Sequence, residues 1–196
     1  MMTAVKEIYE DWQRRRGDDR INNSKVQIWN DKSKGWETKT WSALKVGDIV
    51  KVQNKENFPA DLILLTSSET TGVCYIETSN LDGETNLKVR QSLNITANLL
   101  GSVDTAVSKI KGNIECEGPN KKLYDFNGSL TLNKEEQAPL STAQLLLRGS
   151  KLMNTTFIVG TVVYSGHESK LMKNSQAIPL KDSSIQKMTN IQIIFL

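Results

Sequence analysis

Hydrophobic and polar positions change period along this chain of 196 residues. Near the start, Val5, Ile8, Tyr9 and Trp12 recur at i, i+3, i+4 and i+7, the spacing that lines one face of a helix, and they predict a helix over residues 3–16. Gly17-Asp18-Asp19 and Asn22-Asn23-Ser24 follow as turn formers. The pattern then shortens to β-type runs at 26–29, 37–41, 48–52, 61–65 and 73–77, punctuated by Lys34-Gly35, Val46-Gly47 and Thr71-Gly72. Further runs at 86–91, 113–117, 123–126, 129–132, 144–147 and 157–164 complete the predicted strands. Residues 167–173 predict one or two helical turns. Ser183 or Ser184, as an N-cap before Ile185, Met188 and Ile191 or Gln192, predicts the start of a last helix.

So many short strands with so little helix between them cannot alternate into a parallel α/β sheet. They predict a mainly β fold with sandwich or jelly-roll packing, read here as a distorted jelly-roll or double-stranded β-helix body with short flanking helices at both termini. Residues 94–139, rich in Asn, Gly, Lys and Glu, read as an irregular excursion from that body. No internal repeat or low-complexity tract interrupts this organisation.

Composition narrows the function classes. Apolar residues make up 38% and charged residues 24%, as in an ordinary folded protein. The 25 basic against 22 acidic residues leave a net charge of +3, with no basic stripe, so nucleic acid is not an expected partner. Arg14, Arg15 and Arg16 are expected to complement the dipole at a helix end. Cys74 and Cys116 can form at most one disulfide, which fits a reducing compartment. The first ten residues carry Lys6, Glu7 and Glu10 and do not read as a signal peptide, and no run of about 18 apolar residues predicts a membrane span. Asn22, Asn94, Asn127 and Asn154 each open an Asn-x-Ser/Thr sequon, a feature of secreted β-sandwiches that the missing signal peptide weighs against.

Candidate chemistry concentrates in residues 77–86, between two predicted strands, where a β scaffold commonly carries function. At its centre, Asp82-Gly83-Glu84-Thr85 sets two carboxylates and a hydroxyl on one tight turn around a glycine that permits positive φ. The same residues also read as a plain Asp-Gly hairpin turn with no chemistry at all. His167 is the only histidine and reads as a surface residue, the cysteines have no metal-ligand spacing, and no phosphate-binding glycine loop is present.

Pro59-Ala60-Asp61-Leu62-Ile63-Leu64-Leu65, followed by Cys74 through Lys88 with Asp82-Gly83-Glu84-Thr85 inside, resembles the actuator domain of P-type ATPases. The Asp-Gly-Glu-Thr form is similar to the phospholipid flippase (type IV) branch, where ion pumps typically carry Thr-Gly-Glu-Ser. The resemblance extends through Ile21-Asn22-Asn23, Val46-Gly47-Asp48, Gly118-Pro119-Asn120, residues 145–150 and residues 166–172. Met153 departs from it, standing where flippases often have arginine, and Ser150 stands where Cys or Ala is common.

The resemblance implies a division into the cytosolic end of a membrane-segment helix at 1–20, an actuator domain at 21–180 and the start of the helix to the next membrane segment at 181–196. It implies that Glu84 positions and deprotonates the water that hydrolyses an aspartyl phosphate carried elsewhere in the enzyme, with Gly83, Thr85 and Asp82 as the supporting loop. ATP and Mg²⁺ would serve the full-length enzyme, and none would be bound by these residues, since the Asp-Lys-Thr-Gly-Thr phosphorylation motif is absent from them. The implied partners are the phosphorylation and nucleotide-binding domains, the transmembrane helices and an accessory β-subunit, with a phospholipid substrate not contacted here. The implied setting is the cytosolic side of an integral protein of the plasma membrane or Golgi/endosomal membranes. The contrasting expectation is a stand-alone β-rich interaction module without catalytic role.

Overall fold

The computed structural model describes residues 2–97, 107–108, 111–132 and 137–175. Its elements are α1 (Met2–Asn22), β1 (Lys25–Asn30), β2 (Gly35–Thr40), β3 (Ile49–Gln53), β4 (Asp61–Ser67), β5 (Val73–Glu77), α2 (Ser79–Asp82), β6 (Lys88–Gln91), α3 (Asn94–Ala97), β7 (Gly112–Cys116), β8 (Gly128–Leu132), β9 (Ala138–Leu140), β10 (Leu145–Leu146), β11 (Lys151–Met153), β12 (Phe157–Tyr164) and α4 (Lys170–Ser175). The predicted helix beginning at Ser183 or Ser184 lies outside the described residues.

The strands form three antiparallel sheets, a six-stranded one in the order β10-β4-β12-β3-β1-β2 and two three-stranded ones, β11-β5-β6 and β7-β8-β9. The mainly β class expected from the sequence is therefore what the chain adopts, and among the described residues no sheet closes into a barrel. Every residue of β4 is buried, and alternation explains why. Leu62 and Leu64 point into one cluster with Cys74 and Ile76 of β5 and Leu152 of β11. Ile63, one residue out of phase, points into another with Leu130 and Leu132 of β8 and Leu140 of β9. A strand covered on both faces must read as an unbroken apolar run, and Leu62–Leu65 is one. Each of these side chains contributes roughly 1.5–3 kcal/mol by leaving water.

Three expectations are corrected. First, α1 does not stop at 16 but runs through Gly17-Asp18-Asp19 to Asn22, where the Ser24 hydroxyl donates to Arg20 O at 3.2 Å. Arg14 and Arg15 therefore sit within the helix, paired with Glu10 at 3.9 Å and Asp11 at 2.9 Å one turn back, rather than at its end. Second, residues 123–126 form a turn, not a strand. Leu123 and Phe126 are apolar because they plug the cluster beneath the turn, Phe126 meeting Tyr164 edge-on at 6.4 Å between ring centroids. Third, the 94–139 excursion is not irregular throughout: the strands expected at 113–117 and 129–132 are β7 and β8, and with β9, which the sequence did not predict, they form the layer that covers Ile63.

Candidate functional site

The loop carrying Asp82-Gly83-Glu84-Thr85 joins β5 to β6, neighbouring strands of one small sheet. It is not a two-residue hairpin. After Thr78 the chain takes one turn of helix, α2, and Gly83 ends that turn at φ 76°, its N–H donating to Ser79 O at 3.1 Å. A Cβ at Gly83 would meet nothing within 4 Å, so it is the left-handed backbone and not crowding that calls for glycine. The turn is seated by Leu81, which packs against the cluster around Ile63, and by Asn80, whose side-chain amide donates to Gly149 O at 3.2 Å.

The two carboxylates have different surroundings. Asp82 Oδ2 accepts from Lys88 Nζ at 2.6 Å and from the Tyr124 hydroxyl, while Oδ1 accepts the Glu84 backbone N–H at 3.0 Å. The Thr78 hydroxyl lies 3.0 Å from both oxygens. Lys88 foremost, then Tyr124, hold this carboxyl well below the usual aspartate range, and Asp82 in turn raises the Lys88 ammonium and the Tyr124 phenol. Asp82 is thus a charged brace with its lone pairs engaged. Glu84 makes one contact, Lys88 Nζ to Oε2 at 2.9 Å, and its side chain is 59% exposed. Of the two, Glu84 is the carboxylate that can be presented to another surface and accept a proton there. Thr85 is exposed beside it.

Other singled-out residues are placed elsewhere. Glu77 ends β5 and accepts the Ser79 hydroxyl at 2.6 Å, and His167 is exposed. Asp61 is buried at the start of β4, its two oxygens taking the backbone N–H groups of Arg148 at 2.7 Å and Lys170 at 2.6 Å. Burial pushes its carboxyl up, and the two amides oppose that shift. Among the described residues no three His, Cys, Asp or Glu side chains converge on a metal-sized site. Between Asp82 and Glu84 the cation is the Lys88 ammonium, so this loop does not fit a Mg²⁺ ion of its own. A groove of about 560 Å³ runs among Trp41, Pro59, Leu81, Arg148, His167 and Met172, and Asp82, Glu84 and Thr85 do not line it. The candidate chemistry therefore projects from the surface instead of enclosing a small molecule.

Sequence reasoning missed the supporting residues Lys88, Tyr124 and Lys170. Lys88 stands within the motif-bearing stretch, but spacing assigns it no partner outside a helix. Tyr124 lies 42 residues from Asp82 and no periodicity links them. The Lys170 side chain is completely buried, and its ammonium bonds Asn120 Oδ1 at 2.7 Å, Asp125 O at 2.8 Å, and Glu117 Oε1 and Lys122 O at 3.1 Å each. Lys170 lies in the 166–172 stretch that carries the family resemblance, and beside Leu171 and Met172, but neither signal assigns its ammonium a partner.

The P-type ATPase actuator domain family matches residues 20–178. Over all 196 residues the chain is 47% identical to a phospholipid-transporting ATPase of Schizosaccharomyces pombe, covering 15% of that protein. It is 46% identical over 195 residues to the phospholipid-transporting ATPase tat-1 of Caenorhabditis elegans, covering 17% of it, and 44% identical over 196 residues to the phospholipid-transporting ATPase DRS2 of Saccharomyces cerevisiae, covering 14%. The chain thus spans about one sixth of the length of these relatives, and the reading as a stand-alone interaction module finds no support.

Proposed function

The chain belongs to the P-type ATPase actuator domain family, and from that premise we propose that it is the actuator of a phospholipid-transporting ATPase, with Glu84 serving the hydrolysis of the aspartyl phosphate. The observation that carries this reading is the contrast between a braced Asp82 and a presented Glu84 on one turn. Docked against the phosphorylation domain, Glu84 orients a water in line with the acyl phosphate. As the water oxygen bonds to phosphorus the aspartyl P–O bond breaks, inorganic phosphate leaves, and the water's proton passes to the Glu84 carboxylate. Gly83 bears no side chain and keeps the approach open, Thr85 supplies a hydroxyl to the loop or to phosphate oxygens, and Asp82 fixes the turn. Phosphorylation by ATP, with its Mg²⁺, takes place on the other domains, where basic groups offset the negative charge that meets Glu84.

Rotation of the domain then couples this hydrolysis to the transmembrane helices that move the lipid. In this reading α1 and residues 181–196 lead into neighbouring membrane segments, and the domain faces the cytosol at the plasma membrane or at Golgi/endosomal membranes. The partners are the phosphorylation and nucleotide-binding domains and an accessory β-subunit; the phospholipid itself is not touched by this domain.

The test is Glu84→Gln in the full-length ATPase. A positioned general base contributes about 10²- to 10⁴-fold, so phosphorylation by ATP should persist while phosphoenzyme decay slows by that order and lipid transport nearly stops. Enzyme labelled with radioactive ATP and chased with unlabelled ATP and lipid reads this directly. Glu77→Gln should leave decay close to wild type, because Gln still accepts the Ser79 hydroxyl. Wild-type decay in Glu84→Gln removes Glu84 from the chemistry.

A further inference from the structure

We infer that Tyr124 is a positioning residue for the Asp82-Gly83-Glu84-Thr85 loop, and that segment 117–125, clamped by Lys170, is its mount. This rests on the role of Glu84 given above and assigns a task to the excursion. Tyr124 meets the loop in two ways. Its hydroxyl donates to Asp82 Oδ2, the same oxygen that Lys88 holds at 2.6 Å, and its ring face lies 5.2 Å from the Lys88 ammonium. One phenol thus offers a donor to the anion and a π face to the cation of a single ion pair. Asp82 passes that constraint on, since its other oxygen holds the Glu84 backbone N–H at 3.0 Å.

A surface tyrosine can only position another group if its own backbone is fixed, and here the fixing comes from the core. Tyr124 is 56% exposed, yet four acceptors from residues 117–125 converge on the completely buried Lys170 ammonium. Two of them, Lys122 O and Asp125 O, flank Tyr124 in sequence. The backbone N–H of Lys170 is itself held by Asp61 at 2.6 Å. A continuous run of bonds therefore leads from the start of β4, through Lys170 and the 117–125 segment, to the turn that carries Glu84. Such a run matters to a base that must meet a water on another domain, because a misplacement of about 1 Å costs on the order of 100-fold.

The experiment uses the full-length phospholipid-transporting ATPase with this actuator sequence and compares wild type, Tyr124→Phe, Asp82→Asn, the double variant and Glu84→Gln. The hydroxyl removed by Tyr124→Phe lies at the surface, so the apolar core is untouched. The expected result is phosphorylation by ATP at the wild-type rate with unchanged apparent KM for ATP, lipid-stimulated phosphoenzyme decay slowed about tenfold, and less than a twofold further effect when Tyr124→Phe is added to Asp82→Asn. Decay within twofold of wild type in Tyr124→Phe, while Glu84→Gln stalls, overturns the positioning role and leaves the role of Glu84 standing. Equal slowing of phosphorylation and decay marks a merely structural residue and overturns it too. Fully multiplicative effects of the two substitutions overturn the route through Asp82. Wild-type decay in Glu84→Gln instead overturns the function on which the inference rests.

Discussion

Asp61 and Asp82 show how far one side-chain type can be turned by its surroundings. Asp82 is a surface brace tied to charged and hydroxyl donors. Asp61 is buried and satisfies two backbone amides distant in sequence, that of Arg148 in a loop and that of Lys170 at the start of α4. Truncating it leaves both amides inside the protein without an acceptor, at about 1–3 kcal/mol each. Asp61→Ala should accordingly destabilise the domain by about 3 kcal/mol, and Asp61→Asn, which keeps one carbonyl oxygen, by distinctly less; urea denaturation of the two variants against wild type measures both. At this scale the sequence was informative where chemistry is local. The turn, its glycine and the candidate base Glu84 stand within four residues of one another, and the motif resemblance named them together. Tyr124 and Lys170 stayed hidden because their partners lie some 40 to 50 residues away, and side chains brought together only by folding leave no period to read.

At the scale of elements, strands were legible in proportion to how regularly they are buried. β5 alternates, with Cys74 and Ile76 inside and Tyr75 out, and its predicted bounds match the observed ones. β9 and β11, three residues each, are too short for alternation to register and went unpredicted. The extension of α1 past Gly17 was missed because a glycine followed by two aspartates is a fair turn signal. Propensity is a weak prior, and here ion pairs one turn apart and the hydroxyl of Ser24 stand at and before the far end. Gly17 is helical and a Cβ there would meet nothing within 4 Å. Gly17→Ala should therefore stabilise α1 by roughly 0.5–1 kcal/mol, visible as helical circular dichroism retained to a higher temperature. Among the described side chains of the predicted apolar face, Ile8, Tyr9 and Trp12 are exposed.

For the whole molecule, three β layers share one central sheet, and the loop with Glu84 stands on the outer β5-β6 pair, reached from the far layer by Tyr124. Among the described residues Asp82, Glu84 and Thr85 project from the surface and do not line the groove, and the phosphorylation motif is absent from the 196 residues. The purified chain should consequently show no ATP turnover of its own, and activity that survives repurification and is lost on substitution within the chain would refute this. The central sheet also has a consequence for biosynthesis. β4 is hydrogen-bonded to β10 and β12, with Leu62 opposite Val162 and Asp61 opposite Tyr164. Its partner strands are made roughly 80 to 100 residues later, which at about 5–20 residues per second leaves Leu62–Leu65 waiting for roughly 4–20 s on the ribosome. During that interval an apolar strand has two open edges, so the nascent chain is expected to be most vulnerable to aggregation, and most dependent on chaperones, between the emergence of β4 and that of β12.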